Sequence, residues 1–354
     1  MQNHILQKKE QKLAILLLFP SFLILLLVAV YPLFTVFQTS ITNKTFASSS
    51  QISYIGLDNY TKLLALKIVE LDPVFDEEGN PEINELTGKR VYENPTKVLP
   101  RKPNRYKEIS QFDIFGHHFV FAGTDPDFIL SVKDTVFFTL LSVFFETIFG
   151  MAIALIMVQN FPGRGGLRVA MLVPWAIPTA VSSRMWEWMF ASTRVGIINV
   201  IGQFLRWTNG QFSFLTTPST QLLSIIVIDI WKTTPFMALL LMAGLQTIPP
   251  SIYEAAEIDG CSAFHRFWKI TLPLVKNTLV VALIFRTLDS LRVFDLFQIV
   301  FGQKRYSMSS FSYYQLINNK AMGYSSASSV LIFIIILLFI VLYSRISGGI
   351  GDEK

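Results

Sequence analysis

Residues 254–273 read EAAEIDGCSAFHRFWKITLP and lie between two long apolar segments. Just before them, Pro249-Pro250 ends the first apolar segment, because a proline inside a helix removes a hydrogen bond. Ser251 and Glu254 have the spacing of a capping box, which favours the start of a new helix. Gly260 supplies the left-handed residue that commonly ends a helix, and the serine two residues later can cap another. The stretch therefore predicts two short helices joined at the glycine.

The composition places the chain in a membrane. Of its 354 residues, 51% are hydrophobic and only 16% are charged, which is too apolar for a soluble protein of this length. A membrane span needs about 20 apolar residues. Six segments qualify: Leu13–Phe37, Val136–Val158, Val169–Phe190, Leu222–Leu245, Leu279–Phe301 and Ser328–Tyr343. The first is too long for a signal peptide and no small-residue cleavage site follows it, so it predicts an uncleaved anchor. Pro174 and Pro178 predict a kink or local unwinding in the third.

Lysine and arginine in short loops predict the topology, because cytoplasmic loops are enriched in them. They occur before the first span and in the second-to-third and fourth-to-fifth connections, as Lys8, Lys9, Lys12, Arg164, Arg168, Arg266, Lys269 and Lys276. Both termini and the stretch 254–273 are therefore predicted in the cytoplasm. The connection 301–327 runs against the rule, because it carries Lys304, Arg305 and Lys320 on the predicted outer side.

Several classes of function are excluded or disfavoured. The net charge of +5 is ordinary for the basic loops of a membrane protein, and no zinc-finger spacing or aromatic-plus-basic platform predicts nucleic-acid binding. His117-His118 lacks carboxylate or cysteine partners at ligand spacing, so no metal site is predicted. The single Cys261 excludes an intrachain disulfide. No GxxxxGK[ST] phosphate loop or hydrolase or kinase signature occurs, so we predict no catalytic residues and no ATP hydrolysis by this chain alone.

Residues 66–131 are the one region with the character of a soluble protein. Turn signals recur there, as Asp72-Pro73, Glu78-Gly79-Asn80-Pro81, Thr87-Gly88 and Glu93-Asn94-Pro95. Phe112–Phe121 alternates in part and predicts a hairpin about Gly116. The region predicts a small, mainly β insertion on the outer face between the first two spans. A charged loop without regular structure is the alternative.

Ionisable residues inside membrane spans are costly, so each is a functional candidate. The fifth span holds four of alternating sign, each three residues from the next: Arg286, Asp289, Arg292 and Asp295. The fourth holds Asp229 and Lys232, the third Arg184 and Glu187, and the second Glu146. Two interpretations of the pairs Arg184–Glu187 and Arg286–Asp289 stay open: each pair could hold helices together, or it could face a water-filled cavity. A cavity is favoured for Asp229, Lys232, Ser290 and Asp295, because their helices flank the stretch 254–273.

The stretch 254–273 resembles the EAA loop of the membrane subunits of ATP-driven importers. In that family the loop is a pair of short cytoplasmic helices that fits a cleft on a separate ATPase subunit. The resemblance assigns ATPase coupling to Glu254, Ala255, Ala256, Asp259 and Gly260.

Other segments extend the resemblance over nearly all of the chain except 66–131. Residues 54–60, YIGLDNY, resemble a segment that follows the first span in maltose-type sugar permeases. Residues 231–236 and 285–295 resemble the permease of trehalose importers, and 323–328 fit too.

The resemblance implies an all-α polytopic fold, the type I ABC importer permease, with six transmembrane helices and the small β insertion. The implied parts are an anchor with the start of the outer loop (1–65), the insertion (66–131), a five-helix core (132–348) that contains the coupling loop (246–275), and a cytoplasmic tail (349–354).

It also implies a second permease subunit, two cytoplasmic ATPase subunits that bind ATP and Mg²⁺, and an external sugar-binding protein. The chain would lie in the lipid of the inner (plasma) membrane and carry no cofactor of its own.

In maltose-type importers the fourth and fifth spans line the sugar pocket. Sugar recognition needs hydrogen-bonding groups around the ligand, and charged groups bond hydroxyls more strongly. The resemblance assigns substrate binding, for a trehalose- or maltose-like glucoside, to Asp229, Lys232, Thr233, Phe236, Arg286, Asp289, Ser290 and Asp295. Further stacking on the sugar could come from Trp231, Phe294 and Trp175, although helix packing or lipid contact is the favoured role for Trp175.

Two other classes stay open. An ion-coupled secondary transporter could use Asp229 or Asp289 as a proton or sodium site, but such proteins usually contain two related halves. No repeat relates residues 1–160 to 161–354. A membrane-embedded glycosyltransferase would need an acidic cluster in a loop, and Asp76-Glu77-Glu78 has the character of a solvated turn.

Overall fold

The computed structural model describes residues 2–47, 51–76, 78–84, 88, 90–193 and 195–346, and side chains from residue 11 onward apart from those of 344 and 346. The described residues do not include Glu77, Thr87, the side chains of Lys8 and Lys9, or the predicted tail 349–354.

Helices dominate the described part of the chain. In order, the α-helices are α1 Gln2–Leu25, α2 Tyr31–Ser40, α3 Asp58–Leu64, α4 Pro95–Val98, α5 Pro126–Val158, α6 Arg164–Ala176, α7 Thr179–Met189, α8 Ile197–Phe204, α9 Pro218–Leu245, α10 Pro250–Ile258, α11 Ala263–Arg266, α12 Leu272–Leu274, α13 Lys276–Leu291, α14 Asp295–Val300, α15 Met308–Ile317 and α16 Met322–Ile346. Short π-helical turns at Leu26–Val30 and Phe267–Thr271 join α1 to α2 and α11 to α12. The strands are β1 Leu66–Leu71, β2 Lys107–Ile114 and β3 His117–Gly123.

Within the described residues, four helical segments are long and apolar enough to cross a membrane: Gln11–Ser40, Pro126–Val158, Pro218–Leu245 and Met322–Tyr343. A pair bent by 70°, Ala263–Leu274 with Lys276–Val300, is a fifth candidate if its arms form one span. The sequence predicted six spans. Two predicted segments account for the difference: Val169–Phe190 is not one long helix, and Leu279–Phe301 qualifies only as part of the bent pair.

Proline explains the interruption of this third segment. α6 ends at Ala176 and α7 begins at Thr179, at the place where the sequence predicted a kink or unwinding. Pro178 has no N–H, and the N–H of Val181 donates to the Pro178 carbonyl rather than to that of Ile177. The carbonyl of Ile177 is therefore left without its helical donor. The two halves have 13 and 11 residues, each too short to span alone.

The fifth predicted span is also interrupted, because α13 ends at Leu291 and α14 begins at Asp295. The inference that Arg292 and Asp295 are neighbours on one continuous helix is therefore wrong. Tertiary contacts hold the chain off the helical path: the Ser307 hydroxyl donates to the Val293 carbonyl at 2.6 Å. The ring of Phe294 packs edge-on against Tyr313 with centroids 5.1 Å apart.

The core of the bundle is the packing of α5 against α9, with α13 beside both. Gly150 on α5 allows the close approach, because a Cβ there would lie 2.8 Å from Cγ of Met237 and 3.1 Å from the N of Ala238. Small residues at such crossings are typical of membrane helix pairs. Phe138 on α5 and Ile228 on α9 are fully buried in the same region, which therefore forms a rigid frame.

A three-stranded antiparallel sheet with order β1-β3-β2 lies between the first two spans. β2 and β3 form a hairpin whose turn residues Phe115 and Gly116 both have positive φ, 51° and 87°, as a type I′ turn requires. A small core packs on the sheet, with Leu71, Leu99 and Val120 buried. Regular β-structure therefore occurs within residues 66–131, the region in which the sequence predicted an insertion.

The two adjacent histidines of β3 do not form a metal pair. Successive strand residues point to opposite faces. His117 lies 2.5 Å from Glu70, whereas His118 lies 2.6 Å from Asp113 and stacks on Tyr92. Among the residues that the structure describes, no cluster of three or more His, Cys, Asp or Glu side chains could hold a metal ion.

Arg305 explains part of the exception to the loop-charge rule. Its guanidinium forms a two-point ion pair with the carboxylate of Asp134, at 2.5 and 2.8 Å, and donates to Gln221 at 3.2 Å. Asp134 is buried at the start of α5. This arginine therefore compensates a buried carboxylate, so it does not count as a loop cation in predicting topology.

Candidate functional site

A cavity of about 640 Å³ opens where two interrupted helical segments meet the continuous helix α9. Its walls come from the break between α6 and α7, the middle of α9, and the end of α13 with the 292–294 interruption. Backbone and side-chain polar groups gather there because each interruption frees groups that a continuous helix would pair internally. Irregular backbone at membrane depth is tolerated where it lines a cavity.

The cavity brings together most of the residues predicted to bind substrate. Its lining includes Asp229, Lys232, Thr233, Arg286, Asp289, Ser290 and Asp295. Phe236 does not line it. Its ring instead stacks on Trp175, with centroids 5.7 Å apart and planes inclined by 10°, and Trp175 does line the cavity. Their assignment to substrate stays a prediction, but their juxtaposition is a property of the fold.

One side of the cavity is a buried ion cluster around Arg286. The guanidinium donates through Nε and Nη2 to the Glu146 carboxylate, through Nη2 to Asp229 at 2.5 Å, and through Nη1 to Asp289 at 2.8 Å. The Arg286 and Glu146 side chains are 3% and 0% exposed, whereas that of Asp289 is 67% exposed. The cluster ties α5, α9 and α13 together, so Arg286 holds helices and also borders the cavity.

Glu146 was noted in the sequence only as a lone acid in the second span and was absent from the predicted site. Its Oε1 lies 2.5 Å from the Thr233 hydroxyl, so it meets α9 as well as Arg286. The available signal was energetic: a carboxylate in an apolar span requires a cation or donors. Its partner lies 140 residues away, and no local pattern identifies it.

Lys232 caps the break in the third segment. Its ammonium donates to the carbonyl of Ile177, the group left without a helical donor by Pro178. A charged donor makes a stronger hydrogen bond than a neutral one. Lys232 therefore links α9 to the hinge between α6 and α7 at the rim of the cavity.

Ser290 belongs to the cavity wall and has a buried hydroxyl that makes no hydrogen bond with any described residue. The side chain is buried, and its oxygen has no hydrogen-bond partner within the described part of the chain. A buried polar group without a partner is costly and calls for an explanation. Together with Asp289 and Asp295, which are both solvent-accessible, it offers hydrogen-bonding groups to a ligand. The cavity thus combines charged acceptors, donors and an aromatic pair.

The loop after α9 consists of α10 and α11 joined at Gly260, as the sequence predicted. Gly260 has φ of +73°, and the Ser262 hydroxyl accepts from the N–H of His265 at 3.3 Å as the cap of α11. The predicted capping box at Ser251 and Glu254 is wrong. α10 begins at Pro250, because that ring pre-sets helical φ at the first position, and Ser251 already lies inside the helix.

Contacts between its two helices brace the loop. Arg266 on α11 forms an ion pair with Glu257 on α10, and its guanidinium carbon lies 5.9 Å from the ring centroid of Tyr253. The Tyr253 hydroxyl lies 3.2 Å from that of Thr271. Of the predicted coupling residues, Ala256 is buried against the bundle, while four are exposed: Glu254, Ala255, Asp259 and Gly260.

The exposed surface of the loop is also apolar, since Ile258, Phe264 and Trp268 are largely accessible. The cavity lies beside the middle of α9, whereas this loop follows the C-terminal end of the same helix. Lys232 and Leu245 are 13 residues apart, which is about 20 Å along a helix. The second half of α9 therefore connects the cavity to a preformed, partly apolar loop surface.

Arg184 and Glu187 form a 2.6 Å pair on an exposed face of α7 and do not line the cavity.

Comparison with known proteins identifies the class. Residues 146–350 match the family described as binding-protein-dependent transport system inner membrane component. The chain is 44% identical over 226 residues to the trehalose/maltose transport system permease protein MalF of Thermococcus litoralis, covering 62% of this chain and 75% of the relative. It is 36% identical over 225 residues to the trehalose transport system permease protein SugA of Mycobacterium tuberculosis, covering 61% and 70%.

A solved structure of a bacterial ABC transporter involved in import of the acidic polysaccharide alginate superposes with a TM-score of 0.68 over 98% of both chains. At 17% identity this likeness concerns the fold alone. The chain belongs to the family of inner membrane components of binding-protein-dependent transport systems. It has the mostly helical fold of type I ABC importer permeases, and its relatives are transport components rather than enzymes.

Proposed function

We propose that this chain is the translocation subunit of an ATP-driven sugar importer and forms half of the path for a disaccharide or related glucoside of the trehalose or maltose type. The cavity is the observation that carries the proposal. Its size, about 640 Å³, suits a ligand of this class, since small-molecule pockets run from about 300 to 1,000 Å³. Relatives at 44% and 36% identity are named for trehalose/maltose and trehalose transport.

The lining has the chemistry that a polyhydroxylated ligand needs. Asp289 and Asp295 can accept from sugar hydroxyls, Lys232 can donate, and Ser290 can do either. Trp175, stacked on Phe236, supplies an apolar surface for the face of a sugar ring. Arg286 and Asp229 contribute mainly by fixing the helices, because their side chains are already engaged with each other.

Glu254, Ala255, Ala256, Asp259 and Gly260 would couple this cavity to ATP hydrolysis in a partner. The support is the braced, exposed loop built by α10 and α11. In this proposal ATP and Mg²⁺ bind two partner ATPase subunits, and this chain holds no cofactor.

The proposed assembly adds a second permease subunit and an extracytoplasmic sugar-binding protein. The chain crosses the inner membrane six times, with the interrupted α6–α7 segment as the third crossing and both termini in the cytoplasm. The insertion 66–131 then lies outside, where it helps to seat the binding protein. Arg101, Lys102 and Arg105 could steer an acidic partner there.

Ser290→Ala is the sharpest test of the cavity. In the absence of ligand, removing an unpaired buried hydroxyl should leave stability unchanged or improve it. If Ser290 bonds the sugar, transport efficiency in proteoliposomes containing all partner chains should fall. Loss of a hydrogen bond to a charged group, as in Asp295→Asn, is worth about 1.5–3 kcal/mol, which corresponds to a fall of about tenfold or more.

Lys232→Met removes the donor from the cavity lining and should also lower transport, whereas Lys304→Met, on an exposed loop outside the cavity, is its control and should not. Equal transport by wild-type, Ser290→Ala and Asp295→Asn complexes would remove the cavity from the proposed sugar path.

A further inference from the structure

Helix α8 is amphipathic in the reverse sense to a helix on a water-soluble surface. Such a helix buries its apolar side and exposes its polar side. α8 buries Asn199 and Gly202 and exposes Ile197, Val200, Ile201 and Phe204, the last at 86%. Its apolar side therefore faces away from the rest of the chain.

Hydrogen bonds hold α8 in this orientation. The Asn199 amide donates to the carbonyls of Ala191 at 2.8 Å and Phe212 at 2.9 Å, and its oxygen accepts from the N–H of Phe212 at 2.9 Å. A Cβ on Gly202 would lie 2.9 Å from the Thr208 hydroxyl, so a glycine allows this side to pack closely. Rotating α8 to bury Phe204 would break all three Asn199 bonds.

Aromatic side chains extend the exposed surface on both sides of α8. Trp188, at the end of α7, is 82% exposed, and Trp207 is 77% exposed. The chain turns back after α8, with the N–H of Trp207 donating to the Gly202 carbonyl at 2.7 Å. We name this surface the α8 platform, comprising Trp188, Ile197, Val200, Ile201, Phe204 and Trp207.

The platform lies at the level where two helices of the bundle end. α7 ends at Met189 and α9 begins at Pro218, and Asn199 is bonded to residues close to both of these ends. α9 is 28 residues long, about 42 Å, and its other end leads to α10. The platform therefore lies at the membrane boundary opposite to the 254–273 loop.

Charge and composition indicate what covers this surface. Residues 188–228 contain no Asp or Glu and carry Arg194 and Arg206, and arginine suits a membrane interface because its stem can lie on apolar surface while its charged head stays in water. Tryptophan is enriched where the apolar membrane meets water. The platform also continues a stripe of exposed apolar residues on α7, Val181 and Met185, spaced with Trp188 on one helical face.

We infer that the α8 platform lies in the interfacial layer of the bilayer, with Val200, Ile201 and Phe204 among the upper acyl chains and Trp188 and Trp207 at headgroup level. α8 thus anchors the interrupted α6–α7 segment to the leaflet opposite to the 254–273 loop. This inference rests on membership of the membrane family and on the contacts that join α8 to the residues before and after it. It does not depend on which ligand is transported.

The test measures spin-label accessibility on the complete transporter in lipid nanodiscs. In a Cys261→Ser background, labels are placed by Val200→Cys and Phe204→Cys on the platform. Val227→Cys, on the exposed side of α9, is the lipid control, and Gln211→Cys, in the loop before α9, is the water control. Size-exclusion chromatography checks that each labelled chain still assembles.

We expect the labels at positions 200 and 204 to collide more with oxygen than with a water-soluble nickel chelate, like the label at position 227. The label at position 211 should show the reverse. Nickel exceeding oxygen at Phe204 would overturn the inference because water covers the platform. Low accessibility to both would overturn it because a protein partner does.

Conservative variants provide a second measurement that does not place a label on α8. Brominated acyl chains quench nearby tryptophan emission, so the Trp188→Phe/Trp207→Phe variant should lose part of the quenched fraction. An unchanged quenched fraction would contradict the proposed depth.

Discussion

Replacing Arg286 with methionine should destabilise the chain far more than removing any single exposed charge. The substitution keeps an unbranched apolar stem but leaves Glu146, whose side chain is 0% exposed, and Asp229 without their shared cation. Breaking a buried ion pair from one side costs about 3–5 kcal/mol, which lowers the folded-to-unfolded ratio by roughly two to four decades. Asp289→Asn removes the 67% exposed partner and should cost only about 0–1 kcal/mol.

A second substitution separates charge from packing. Glu146→Leu combined with Arg286→Met removes the most buried uncompensated carboxylate, so the double variant should be more stable than Arg286→Met alone. The measurement is denaturant unfolding in detergent micelles, followed by tryptophan fluorescence. If Arg286→Met and Asp289→Asn unfold at the same denaturant concentration, the buried cluster does not hold α5, α9 and α13 together.

Three further predictions concern coupling, the hinge and the outer insertion. Gly260→Val should lower sugar-stimulated ATPase activity of the assembled transporter while membrane insertion is kept, because φ of +73° strains a β-branched residue by about 1–3 kcal/mol; wild-type stimulation would remove the coupling role. Lys232→Met should lower transport and loosen the α6–α7 break, seen as faster hydrogen exchange around Ile177, whereas Lys304→Met should change neither. Arg101→Glu with Arg105→Glu should raise the binding-protein concentration needed for half-maximal transport at low salt, with a smaller effect at high salt; equal dependence at low salt would make the insertion a spacer.

Local signals in the sequence predicted much of this architecture. The proline pair before α10 and the glycine after it marked the loop, and Pro178 marked the break in the third segment, since both residue types act on the adjacent backbone. The position of their helices beside the loop 254–273 predicted that Asp229, Lys232, Ser290 and Asp295 share a cavity, and all four line it, whereas the role of the Arg286–Asp289 pair stayed open.

The features that depend on distant residues were not predictable in this way. Glu146 meets Arg286 across 140 residues, and no local pattern selects that partner. The break at 292–294 contains neither proline nor glycine and depends on contacts from Ser307 and Tyr313. No prediction was made from the sequence for α8, and only the contacts of Asn199 reveal which face of that helix is turned outward.

The central claim is that this chain transports a sugar with energy from ATP hydrolysed by partner subunits. The most direct measurement is uptake of labelled trehalose or maltose into proteoliposomes that contain the complete assembly, with ATP and Mg²⁺ on the coupling-loop side, binding protein on the other, and ionophores present to collapse every ion gradient. We expect uptake to continue under these conditions, to stop when a non-hydrolysable ATP analogue replaces ATP, and to fall in the Gly260→Val complex. Uptake that needs an ion gradient and proceeds without ATP would contradict the central claim and favour an ion-coupled transporter built around Asp229 or Asp289.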